Sequence, residues 1–161
     1  MAEQIELVDE SGKPVGQAEV KAAHTRQLLH HSVHIVLIDS KGRFFCAYRS
    51  PEKAIYGGYW TVPGAHVLPG ETYGAAAKRL LKSVFGLDCE LEAVGKIRVR
   101  DGIENEVSMM YVGHSDEQFK VKPDQFDDGR FLAPEDARRF ASSQKVTPYL
   151  LHSIELCAKR H

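Results

Sequence analysis

The residues best suited to chemistry in this chain are histidines and one pair of glutamates. Eight histidines occur in 161 residues. Five of them, His24, His30, His31, His34 and His66, sit at element edges around one glycine-rich loop, which holds His66 itself. Glu104 and Glu106 lie in a strand-like run, and a period of two turns both carboxylates to one face. Imidazoles combined with carboxylates suit a borderline divalent ion such as Zn²⁺ or Mn²⁺ better than an ion that takes oxygen alone.

Those residues need elements to hold them. Glu3 to Val8 and Pro14 to Val20 flank the turn cluster Asp9-Glu-Ser-Gly-Lys13, which predicts a β-hairpin. Within Leu28 to Asp39 the second half is β-branched and apolar, a buried strand, and Phe44 to Arg49 returns after the turn Ser40-Lys-Gly-Arg43. Pro63, Gly64, Pro69 and Gly70 punctuate the loop from Trp60 to Glu71. Thr72 to Phe85 has no proline and is rich in alanine and leucine, which predicts a helix. Strands follow at Cys89 to Arg100, Glu104 to Val112 and Gly129 to Leu132. Pro134 opens a helix, and Thr147-Pro148 caps a last one running to Lys159. The expectation is an α/β protein of α+β arrangement, a mixed sheet between helices, forming one domain over residues 1–161.

Composition narrows the class. A formal net charge of −1 gives no electrostatic case for nucleic acid or a membrane surface as partner. Cys46, Cys89 and Cys157 are odd in number and in no ligand spacing, which favours a reducing, cytoplasmic setting. The first residues have neither the basic start nor the apolar run of a signal peptide, and no stretch is long enough to span a bilayer.

The loop and helix resemble the signature of the Nudix superfamily, Gly-x5-Glu-x7-Arg-Glu-(apolar)-x-Glu-Glu-x-Gly-(apolar). Aligned without gaps, Glu71, Arg79, Gly86 and Leu87 match. The opening glycine falls on Ala65, and the three helix glutamates that hold magnesium in that family fall on Leu80, Ser83 and Val84. Arg79 is expected to orient the loop or a carboxylate, as the signature arginine does.

A second resemblance covers most of the chain. Ala22-Ala-His24-Thr, Leu29-His30, Ser40-Lys-Gly42-Arg, Trp60-Thr, His66, Gly70-Glu71 and Glu104-Asn-Glu106-Val107 are similar to strings of the type I isopentenyl-diphosphate isomerases, a Nudix branch. That resemblance implies one divalent-metal site (Mg²⁺, Mn²⁺ or Zn²⁺) made by His24, His30 or its neighbour His31, His66, Glu104 and Glu106. It also implies that Arg49 and Lys53 hold a small-molecule diphosphate, with Lys21 near a third such position. Fixed cations on a loop suit phosphate oxygens. Tyr149 falls where the isomerases use a tryptophan to steady a carbocation.

The departures decide the expected reaction. The isomerase cysteine that protonates the alkene falls on Gly64, which has no proton to donate. The expectation is therefore a metal-dependent hydrolase of an organic diphosphate with a non-standard metal site. Glu104 or Glu106 would act as base, with Glu71 as accessory. Two alternatives stand beside it: an isomerase-like enzyme with Tyr59, Tyr73 or a water as substitute acid, and a non-catalytic Nudix-fold binding module. Oligomeric state is not encoded in any of these features.

Overall fold

A computed structural model describes residues 3–160. Two short strands, β1 (Gln4–Val8) and β2 (Pro14–Glu19), form the expected hairpin and lead into a six-residue helix α1 (Val20–Thr25). The long strand β3 (His30–Ile38) is buried at every position, and β4 (Phe44–Tyr48) returns beside it. The loop contributes two strand fragments, β5 (Trp60–Thr61) and β6 (Gly64–His66). Then come helix α2 (Tyr73–Leu80), strands β7 (Leu91–Arg100), β8 (Asn105–His114) and β9 (Asp128–Leu132), and helices α3 (Pro134–Ser143) and α4 (Pro148–Lys159).

The strands form one mixed sheet in the order β2-β1-β3-β4-β5. In addition β6 and β8 pair with β3, β7 with β8 and β9 with β4. Only the β3–β8 pair is parallel among these strands, His30 standing opposite Glu106 and His34 opposite Met110. β6 lies antiparallel on β3 with His66 beside Ser32 and Gly64 beside His34. The glycine-rich loop is thereby stitched to the strand that carries four histidine and serine side chains.

Period two divides β3 between two cores. Val33, Ile35 and Leu37 pack with Phe45, Ala47 and the α2 residues Ala76, Ala77 and Leu80. Val36 and Ile38 pack on the other face with Phe44, Cys46, Met110, Val112 and the α4 residues Leu150 and Ile154. The expectation of a mixed sheet between helices is met. The helix from residue 72 widens after Leu80 into a π-helical turn, Leu81–Phe85, and ends at Gly86, whose φ of 65° is the left-handed cap that glycine adopts without strain. Thr72 and Thr147 cap α2 and α4 through bonds from Ala75 N and Leu150 N, each cap worth about 1 kcal/mol.

Helix α1 is the element the sequence reading lacked. Its N-cap, Glu19, makes no side-chain cap bond, and six residues are too few to show a helical period. Packing of the fully buried Ala23 holds it instead.

Candidate metal centre and its cavity

His24 comes from α1, His30 from the start of β3 and His66 from the end of β6. Glu104 precedes β8, and Glu106 is on it. The three imidazole rings form a triangle with centroids 5.1, 5.2 and 5.3 Å apart. One ligand atom from each of His24, His30, His66 and Glu104 lies within 4.8 Å of the others. Glu106 adjoins this group, its Oε2 standing 3.0 Å from His30 Nε2. Its Oε1 accepts hydrogen bonds from Ser32 Oγ at 2.7 Å and from the Tyr149 hydroxyl.

The donor set fits a divalent cation. Nδ1 of His24 lies 2.9 Å from Val20 O, and Nδ1 of His30 lies 2.9 Å from Leu28 O. A carbonyl oxygen only accepts, so both neutral rings carry their proton on Nδ1 and leave Nε2 as a lone pair. Those lone pairs face carboxylate oxygens, His24 Nε2 at 3.1 Å from Glu104 and His30 Nε2 at 3.2 Å from the same side chain. Acceptor against acceptor is repulsive unless a proton or a cation sits among them. His30 Nε2 is also buried with no aligned hydrogen-bond partner among the described residues, an orphan of the kind a metal ion satisfies.

Without a cation, protons take up the strain. Burial depresses the His30 pKa, but Glu104 and Glu106 together lift it to about 10. For His24, too, burial works against the charge and Glu104 raises the pKa on balance. Burial opposes ionisation of Glu104, yet His24 and His30 hold its carboxyl far below the usual carboxylate range. Glu106 shifts down in the same way, burial being outweighed chiefly by His30. His66 makes no carboxylate bond, and burial brings it down to about 4, a neutral ring available as a ligand. The two buried carboxylates attract positive charge, and a cation bound here would have to displace the protons from His24 and His30.

The cluster opens into a cavity of about 260 Å³. His24, His66, Glu104 and Glu106 line it together with Ser32, His34, Arg49, Tyr56, Gly64 and Tyr149. Arg49 is half-buried and donates from Nε to Ile55 O at 2.7 Å. Burial lowers its pKa. Tyr149 stacks on His34, with ring centroids 3.7 Å apart and planes 11° from parallel. His34 is itself held near pKa 4 by burial, so it is neutral at pH 7.

Other residues singled out in the sequence lie elsewhere. His31 faces the α2 side of β3, bonded to Glu6 at 3.0 Å and to the Tyr73 hydroxyl at 3.0 Å, so it stands outside the ligand group. This corrects the open choice between His30 and His31: a strand shows neighbouring side chains to opposite faces. Glu71 is also outside the cavity. It pairs with Arg79 at 2.9 Å and accepts from Leu68 N, closing the loop that carries His66, while Arg79 donates to His66 O at 2.8 Å. The expectation for Arg79 matches this geometry; an accessory catalytic place for Glu71 does not. Lys53 is exposed and donates to Asp124 O at 2.9 Å. Lys21 lines an adjoining groove of about 810 Å³ with Val20, Ile55 and Ile103, and is not on the cavity wall.

Leu80 and Val84 are buried in the α2 core, where the signature glutamates would fall. Tyr59 packs edge-on to Tyr56, and Tyr73 serves His31, so neither phenol lines the cavity. Ser32, Tyr56 and Ser108 were missed by sequence reasoning. Ser32 and Ser108 are fully or almost fully buried polar residues in β3 and β8, and nothing in their local sequence marks them as facing the site.

The NUDIX domain family model matches residues 28–150. An isopentenyl-diphosphate Delta-isomerase 2 of Aromatoleum aromaticum is 34% identical over 138 residues, covering 82% of this chain and 73% of that protein. An uncharacterized Nudix hydrolase of Pseudomonas aeruginosa is 29% identical over 157 residues, covering 96% of this chain and 93% of its own length. The crystal structure of a Deinococcus radiodurans protein, DR0079, superposes with a TM-score of 0.80 over 96% of this chain and 99% of that one, at 22% identity. Among the described residues, no helix is long and apolar enough to cross a membrane.

Proposed function

This chain belongs to the Nudix family and stands with its isopentenyl-diphosphate isomerase-like members, and from that premise we propose that it is a divalent-metal-dependent enzyme that hydrolyses a small organic diphosphate. The observation that carries the reading is the joint presence, at one cavity, of a four-residue ligand group, a second carboxylate beside it and a half-buried arginine.

His24, His30, His66 and Glu104 would hold the cation, with Glu106 at its edge. A bound divalent ion supplies neutralisation of phosphate charge and polarisation of a phosphoryl oxygen. Arg49 offers a fixed cation on the cavity wall to orient the diphosphate. Glu106 is the base. Its Oε1 is occupied by Ser32 and Tyr149, so Oε2, which lies 3.0 Å from His30 Nε2, is the oxygen that would accept the proton of an attacking water. As the water oxygen bonds phosphorus, the phosphorus–oxygen bond to the leaving group breaks and its electron pair stays on the departing oxygen. A cytoplasmic place of action belongs to the same proposal.

One observation favours a second reading, isomerisation of isopentenyl diphosphate to its allylic isomer: the 34% identical relative is named an isopentenyl-diphosphate Delta-isomerase. Against it, residue 64 has no side chain to donate a proton, and neither candidate phenol reaches the cavity.

The test is ³¹P and ¹H NMR of the protein with isopentenyl diphosphate and with nucleoside diphosphate derivatives, with Mg²⁺ or Mn²⁺ present. New phosphate signals support hydrolysis, and new allylic protons without phosphate release support isomerisation. Unchanged substrates that nevertheless raise the melting temperature would leave a binding module and overturn both.

A further inference from the structure

The cavity wall holds a polar atom with no role in the account above. His34 Nδ1 lies 2.7 Å from Ser108 Oγ. Ser108 is fully buried, and its hydroxyl has no other hydrogen-bond partner among the described residues. If Nδ1 carried the proton, the serine hydrogen would be left buried without an acceptor, an arrangement proteins avoid. Ser108 therefore donates to Nδ1, and the neutral ring carries its proton on Nε2.

That Nε2 sits against bare backbone. A Cβ placed on Gly64 would fall 2.4 Å from it, and the other two nearest atoms would also belong to the His34 ring. Any side chain at 64 would therefore displace the imidazole. The ring is fixed from below by the parallel stack on Tyr149. The Nε2–H has no acceptor among the described residues, although it belongs to a residue that lines the cavity.

We propose that His34 is a substrate-contacting hydrogen-bond donor, presenting Nε2–H over Gly64 to an oxygen of the diphosphate substrate. The assignment rests on the diphosphate reading of the preceding section. Ser108 is the positioning residue, because it sets the tautomer, and Gly64, having no side chain, leaves the ring the space it occupies. A neutral imidazole held in this way stabilises an oxygen that gains negative charge without itself giving up the proton.

The test is ¹⁵N NMR of the histidine side chains, with and without the non-hydrolysable probe methylenediphosphonate in the presence of Mg²⁺. His34 is expected to show a protonated Nε2 and an unprotonated Nδ1, and its Nε2 signal should move on addition of the probe. His34→Phe, which keeps the stack on Tyr149, and Gly64→Ala, which displaces the ring, should each weaken probe binding by about tenfold, the scale of one hydrogen bond to a charged group. The opposite tautomer, or a probe that binds while His34 stays unmoved, overturns this inference and leaves the diphosphate reading standing. A probe that fails to bind at all overturns both. Should either variant fail to fold, the spectra of the unaltered protein still decide.

Discussion

His30 and Glu106 face each other across the parallel strands β3 and β8, with Nε2 3.0 Å from Oε2 and no aligned proton between them. An imidazole lone pair held against a carboxylate oxygen in a buried site calls for a cation or a proton between them. The face on which each residue of this strand lies makes the first expectation concrete.

Calorimetric titration with Mn²⁺ or Zn²⁺ should show one high-affinity equivalent per chain. His30→Ala and Glu104→Gln should each weaken it by at least about tenfold, the lower end of what disturbing a metal's surroundings costs. His31→Ala, one residue away, should leave the affinity within about twofold. It should lower folding stability by about 1 kcal/mol through its lost bonds to Glu6 and Tyr73. Equal losses for His30 and His31 would sink the site.

Removing the proposed base separates chemistry from binding. Glu106→Gln should cut phosphate release by about 10²–10⁴-fold, the usual contribution of general base catalysis, with the melting temperature measured alongside. Tyr149→Phe, which removes the donor to Glu106 Oε1, should cost less, about tenfold. A fully active Glu106→Gln enzyme would transfer the base to another group.

Restoring the family's helix carboxylates should harm the fold. Val84→Glu would place a charge among Phe85, Leu81 and the apolar face of β3, where no partner awaits it. Urea denaturation should register a loss of about 2 kcal/mol or more. A neutral result would mean that the π-helical turn after α2 presents this position to polar surroundings after all.

The loop brace has a pH signature. The bond from Arg79 holds Glu71 below its usual carboxylate pKa. A depressed folded-state pKa contributes stability that is fully present above the unfolded value, about 4.3, and disappears as pH falls through the folded value. Glu71→Gln should therefore be less stable than the parent at neutral pH, with the two unfolding free energies converging in acid. A gap that stayed constant from pH 7 down to pH 2 would remove the ion pair as its cause.

Much of this architecture could be read from the residues alone. The hairpin, the helix from 72 and the Thr147 cap follow from turn chemistry and composition, and the resemblance implies a ligand set of His24, His30 or His31, His66, Glu104 and Glu106, of which His24, His30, His66 and Glu104 converge. What was hidden depended on register. A run of three polar residues, His30-His31-Ser32, carries no mark of which face is inward, because slipping by one exchanges the faces. Ser108 acquires its role from pairing with a strand 74 positions earlier in the chain, a relation absent from any local window. The lysines misled because charge at the right spacing says nothing of where a flexible side chain ends: Lys53 reaches a backbone carbonyl and Lys21 another groove.

Strand β3 acts as a partition wall. On one side, Val33, Ile35 and Leu37 commit the chain to holding α2; on the other, His30, Ser32 and His34 address the cavity. The two tasks share a backbone and almost no atoms, so each can be rewritten while the other is left intact. A helix stripped of its carboxylates and a histidine-rich chamber are thus independent edits to one scaffold, and a protein engineer could change the chemistry of the chamber without first renegotiating the fold.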